Sequence, residues 1–189
     1  MSADYAAQRV NMVESQVRPA DVTDHAICDA MRSVAREALL APERRYLAYA
    51  DAEAQYAPGR WLLKPRDVAK LLQALKVRPG ERALAIAAPY AGAVMEAMGL
   101  TVSRLDDGDL KSPQGLYDVV VCEGAVAAVP PGWTAALAPG GRLGVVERAG
   151  PVGRARLYLR SESGVGARDL FDAAPPVMAG FEPARGFAF

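Results

Sequence analysis

The chain reads as an α/β protein in which helices lead and a mostly parallel sheet follows. Two observations predict this. Up to Leu75 the apolar residues recur with helical spacing, and beyond Ala83 short apolar strands alternate with helices. A third observation concerns the last third, where Ala155, Leu157 and Leu159 alternate with Arg156, Tyr158 and Arg160. That is the pattern of a half-buried strand and predicts an antiparallel hairpin at the sheet edge.

The elements follow in order. Ala6, Val10, Val13 and Val17 share one face of a first helix, which Arg18-Pro19 ends because the residue before proline is pushed out of the helical region. Thr23 or Asp24 caps a second helix carrying Ile27, Met31 and Val34. Ala41 to Leu63 reads as irregular. Pro65 suits the first turn of a third helix, whose stripe is Val68, Leu71, Leu72 and Leu75, and Arg78 to Glu81 is a turn. Strands are expected at Ala83 to Ala87, Leu100 to Leu105, Tyr117 to Cys122 and Arg142 to Val146, with helices at Ala91 to Met98 and Pro131 to Leu137. Gly164 and Gly166 make a turn, and Ala167 to Phe171 pairs back.

At 189 residues, 51% of them hydrophobic, the chain fits one domain, residues 1–189, with a helical part over 1–80 and the sheet over 81–189. Zero formal net charge gives no electrostatic footprint for nucleic acid or anionic lipid. The N-terminus lacks an apolar h-region and no apolar run approaches a membrane span, so a cytoplasmic protein is expected. Cys28 and Cys122 have neither metal-ligand spacing nor a partner motif. His25 is the only histidine, which makes a Ser-His-Asp triad or a histidine metal site an unsuitable reading. Trp61 and Trp133 read as packing, and Arg154, Arg156 and Arg160 as a solvated strand face.

Several stretches together resemble the protein-L-isoaspartate O-methyltransferase family, in a compact bacterial form. They are NMVESQVR, VTDHAICDAM, APGRWLLKPRDVAKLLQALKVRPGER, LYDVVVCEGAVAAVPPGW, LAPGGRLGVVE and LYLRSESGVGARDLFDAAPP. The resemblance covers nearly the whole chain. It implies a Rossmann-like methyltransferase fold, S-adenosylmethionine as cofactor, and proteins or peptides carrying isoaspartate as substrate. It assigns cofactor positions to Ala87, Ala88, Tyr90, Asp106, Glu123 and Gly124, and substrate positions to Leu63 and Pro65.

Three departures bear on activity. The family's strand-one aspartate and following glycines are replaced by Ala85, then Ala87, Ala88 and Pro89. Each alanine adds a Cβ where the ligand would lie against bare backbone, and Pro89 removes an N–H. Leu63 stands where the family has a serine, so no hydroxyl faces the substrate. Asp107 to Leu116 is the whole connection between the second strand and the next, too short for the helix and strand the family carries there. Ten extended residues reach roughly 33 Å, enough to recross the sheet over roughly 20 Å as a bare loop. Tyr90 either stacks on a base or fills the space the cofactor vacated, and the second is favoured. Asp106 is either a ribose ligand or a solvated turn residue. The expectation is impaired or absent catalysis, with a non-catalytic module that binds a peptide or an unknown protein partner as the alternative.

Overall fold

A computed structural model describes residues 4–183. The N-terminal part begins with α1 (Tyr5–Met12), which Asp4 caps by accepting the Ala7 N–H. A π-helical turn, Val13–Val17, follows directly. The wider turn rotates the apolar face, so Met12, Val13 and Val17 are buried while Val10 is exposed. The single face expected through Ala6 and Val10 is therefore corrected. The helix also passes Pro19 through a 3-10 turn, Arg18–Ala20, and stops at Asp21, whose φ is 63°. Next comes α2 (His25–Ser33), capped by Asp24 through the N–H groups of Ala26 and Ile27.

A 3-10 turn, Arg36–Leu39, precedes the stretch expected to be irregular, which itself contains a second 3-10 turn, Pro42–Leu47, and a small hairpin, β1 (Ala54–Ala57) with β2 (Arg60–Leu62). The strands are three and four residues long, too short to show alternation. Helix α3 (Pro65–Leu75) opens on its proline and buries Val68, Leu71, Leu72 and Leu75, as the stripe requires.

The sheet contains β3 (Arg82–Ile86), β4 (Thr101–Leu105), β5 (Tyr117–Val126), β6 (Leu137–Glu147), β7 (Arg154–Ser161) and β8 (Gly164–Asp172). Between them lie α4 (Pro89–Ala97) and the short α5 (Pro131–Ala135). The order is β4-β3-β5-β6-β7-β8, with β4, β3, β5 and β6 parallel and β7 and β8 antiparallel. Asp107 to Leu116 contains neither helix nor strand.

Strand β3 alternates between two cores. Ala83 and Ala85 face the larger one, which unites buried residues from Met12 to Ala173. Leu84 and Ile86 face a smaller one with Leu110, Trp133 and Phe181. The bare connection thus has a packing role. Leu110 folds onto the sheet face, and its carbonyl accepts the Trp133 indole N–H at 2.6 Å. No described helix is long and apolar enough to cross a membrane.

Candidate functional site

In an open parallel sheet the ligand crevice lies beyond the carboxyl ends of the strands, where the chain reverses its direction across the sheet. Here that point is between β3 and β5, because the chain goes outward to β4 and then recrosses. The pairing of β3 with β5 ends at Ile86 and Cys122, so Ala87 and Glu123 lie side by side just past the last β3–β5 pair.

The chain closes this crevice with its own atoms. The register of β5 against β6 shifts between Val121 and Ala125, and Gly124 takes φ 107°, which frees Glu123 from the regular ladder. One oxygen of Glu123 accepts the N–H of Tyr90 at 2.9 Å and that of Ala91 at 3.4 Å. The carboxylate thereby caps α4, a helix that lacks a cap of its own residues. Glu123 is fully buried, and that burial pushes its carboxyl up to about 7 against the opposing pull of Arg36 and the N–H groups.

Behind Glu123 lies Arg36, also fully buried. Its Nε donates to the Ala48 carbonyl at 2.8 Å and its Nη2 to the Leu63 carbonyl at 2.6 Å. Its guanidinium sits 4.5 Å from the centroid of the Tyr90 ring, a cation–π geometry strengthened by the absence of solvent. Tyr90 is itself fully buried, and burial raises its hydroxyl pKa. Tyr56 donates its hydroxyl to the Ala87 carbonyl at 3.2 Å.

Six of the eight sequence-derived positions converge here: Ala87, Ala88, Tyr90, Glu123, Gly124 and Leu63. Ala87, Ala88 and Leu63 are fully buried. Ala87 holds φ 44° despite its Cβ, a left-handed conformation that disfavours a non-glycine residue. Asp106 stands exposed past the end of β4, and Pro65 is buried at the start of α3. Among the described residues, surface clefts of 420 to 620 Å3 lie elsewhere, and none of these is lined by Ala87, Ala88, Tyr90, Asp106 or Glu123.

Arg36 and Tyr56 are the site residues that sequence reasoning missed. Neither belongs to a periodic pattern or a motif, and only the three-dimensional return of the N-terminal part brings them to the crevice. The other side chains fall where simple packing puts them. Trp133 is buried, His25 is exposed, and both cysteines are free and buried. Arg154 and Arg156 pair with Asp169, Asp172 and Glu147, while Arg160 donates to the carbonyls of Ala135 and Leu137.

No family model matches the chain. It is 32% identical to the protein-L-isoaspartate O-methyltransferase of Methylorubrum extorquens over 198 positions, covering 90% of this chain and 85% of that one. The chain belongs to the protein-L-isoaspartate O-methyltransferase family. The counterpart in Methylorubrum populi is 33% identical, over 81% of this chain and 85% of its own. Because 198 aligned positions take in only 90% of 189 residues, this family member is gapped against its relative, as a missing unit requires.

The fold is that of the family. A Plasmodium falciparum candidate protein-L-isoaspartate O-methyltransferase, solved with S-adenosyl-L-homocysteine, superposes with a TM-score of 0.72 at 13% identity, covering 94% of this chain and 99% of that one. Another protein-L-isoaspartate O-methyltransferase gives 0.73 at 18% identity, over 94% of this chain and 67% of its own.

Proposed function

We infer that this family member keeps the methyltransferase scaffold without a working methyl-donor site. The family reaction is S-adenosylmethionine-dependent methylation of isoaspartyl carboxylates. Its nucleophile is already ionised at neutral pH, so the reaction depends on holding donor and carboxylate in line. A chain that cannot seat the donor has no other chemistry to fall back on.

One observation carries the reading: the switch-point crevice is filled by Glu123, Tyr90 and Arg36, all fully buried. The N–H groups at the start of α4, a natural anion site, are already taken by Glu123. The residues present therefore do not fit S-adenosylmethionine. Leu63, at the substrate position, is turned into the same plug, with its carbonyl on Arg36.

Calorimetric titration of S-adenosylmethionine into the full chain is the test. The expected dissociation constant is at or above roughly 1 mM. Micromolar affinity, or methyl transfer to an isoaspartyl peptide, sinks the reading.

A second reading is a module that binds protein segments without catalysis. It draws on a 620 Å3 cleft lined in part by Val129, Pro130, Pro131 and Phe181, away from the crevice. Titrating the isoaspartyl peptide alone separates the two, since only the module should bind it without a donor.

A further inference from the structure

Three polar atoms inside the closed crevice find no hydrogen-bond partner among the described residues: Nη1 of Arg36, the hydroxyl of Tyr90 and Oε1 of Glu123. All three side chains are fully buried. Each residue uses its other polar or aromatic surface well. Arg36 donates to two carbonyls, Glu123 receives two N–H groups through Oε2, and the Tyr90 ring stacks under the guanidinium. With Glu123 ionised, what remains is one donor-only group, one acceptor-only group and one hydroxyl that can do either. Arg36 Nη1 and Glu123 Oε1 are both unpaired, so they do not bond each other.

Buried polar atoms in folded proteins are almost always satisfied, by protein or by ordered water. An internal water typically makes about three hydrogen bonds to such atoms. We propose that Arg36, Tyr90 and Glu123 hold an ordered internal water at the sealed switch point. The water accepts from Nη1 of Arg36 and donates to Oε1 of Glu123. Its remaining valence goes to the Tyr90 hydroxyl, which completes the set. The crevice is then a small hydrated polar chamber rather than a dry plug.

A second set of atoms supports the placement. Nε of Arg9 and Oε1 of Gln16 are also buried and unpartnered. Gln16 lies on the π-helical turn, and its amide nitrogen donates to the Tyr49 carbonyl, one residue from the carbonyl that Arg36 uses. The charges of Arg9 and Glu37 act on the Tyr90 hydroxyl. Unpartnered atoms thus also occur on α1 and on the π-helical turn, which carry Arg9 and Gln16.

The inference rests on the closed crevice argued above, and its test is separate from cofactor binding. Water–amide cross-relaxation is measured by NMR on the full chain without ligand. The expected result is a water that outlives molecular tumbling and cross-relaxes with the amides of Tyr90 and Ala91. Tyr90→Phe keeps the ring and the stack but removes the hydroxyl, and should shorten that residence. A high-resolution crystal structure with Arg36 Nη1 bonded directly to Glu123, and no long-lived water in solution, overturns the proposal. An unchanged water signal in Tyr90→Phe overturns the three-residue assignment. A chain that binds S-adenosylmethionine yet shows the water when ligand-free overturns the functional reading alone. A chain that binds none and shows the direct pair overturns this inference alone.

Discussion

Glu123 accepts the backbone N–H of Tyr90 at 2.9 Å, tying β5 to the start of α4 across the crevice where a ligand would enter. Hydrogen bonds to a charged acceptor contribute more than neutral ones, about 1.5–3 kcal/mol each. Glu123→Ala should therefore destabilise the fold by about 2 kcal/mol or more, and leave Arg36 without its nearest acid. Glu123→Gln should cost less, because an amide oxygen still accepts from α4. Urea midpoints of the two variants check the order, and equal losses would show that the tie contributes nothing.

The same carboxylate predicts how stability changes with pH. Burial lifts Glu123 from 4.5 to about 7, and burial lifts Asp67 on α3 from 3.8 to about 6. Both shifts have the same sign. Between pH 4 and 7 the folded chain holds protons that the unfolded chain has released, so the stability these groups supply is complete below their unfolded values. It is lost as pH rises through their folded values. The melting temperature should fall from pH 5 to pH 8. Glu123→Gln, which cannot titrate, should flatten that slope. A wild-type melting temperature that rises across the window would contradict the account.

Gly124 predicts a packing dependence. Its φ is 107°, and a Cβ there would sit 2.6 Å from Cγ of Met178. The C-terminal segment is bound at this point, with the Met178 N–H donating to the Ala125 carbonyl at 2.8 Å. Gly124→Ala should cost about 2 kcal/mol or more, from left-handed strain of about 1–2 kcal/mol plus the clash. In a Met178→Ala background the added cost should shrink toward the strain alone, a coupling that a double-mutant cycle reads directly. Full additivity would show that Met178 moves aside freely.

Much of the fold was legible because its signals are local. The α3 stripe and the Asp24 cap depend on residues a few positions apart and appear where expected, while the alternation in β7 holds at the buried Ala155 and Leu157 and fails at Leu159, which is exposed. The loop from Asp107 to Leu116 followed from its length alone. The π-helical turn was not legible, since Ala6, Val10, Val13 and Val17 satisfy an ideal helix and only the tertiary contacts of Met12 reveal the shift. The site was half legible. Tyr90 filling the crevice could be argued from the missing glycines, but the buried Arg36 could not. A lone arginine 54 residues from Tyr90 gives no sign that it will stack on that ring.

The last prediction concerns repair of the turn. Ala87 holds φ 44° with its Cβ buried, so glycine there has opposing effects. It relieves left-handed strain of about 1–2 kcal/mol. It also removes a buried methyl group, about 0.8 kcal/mol, and loosens the unfolded chain by about 0.4–1 kcal/mol. These nearly cancel, so Ala87→Gly should change stability by less than about 1 kcal/mol. Ala87→Gly with Ala88→Gly should nonetheless leave S-adenosylmethionine binding undetectable. The volume in the crevice belongs to Tyr90 and Arg36, and the N–H groups of α4 still face Glu123. Adding Ala85→Asp should make matters worse. Ala85 is buried against α4, with its Cβ 3.1 Å from where a Cβ on Gly92 would stand, so the new carboxylate would crowd the helix. Thermal melts and calorimetry on the double and triple variants read both effects. Micromolar cofactor binding by the double variant would mean that the plug opens readily and that the two alanines alone keep the donor out.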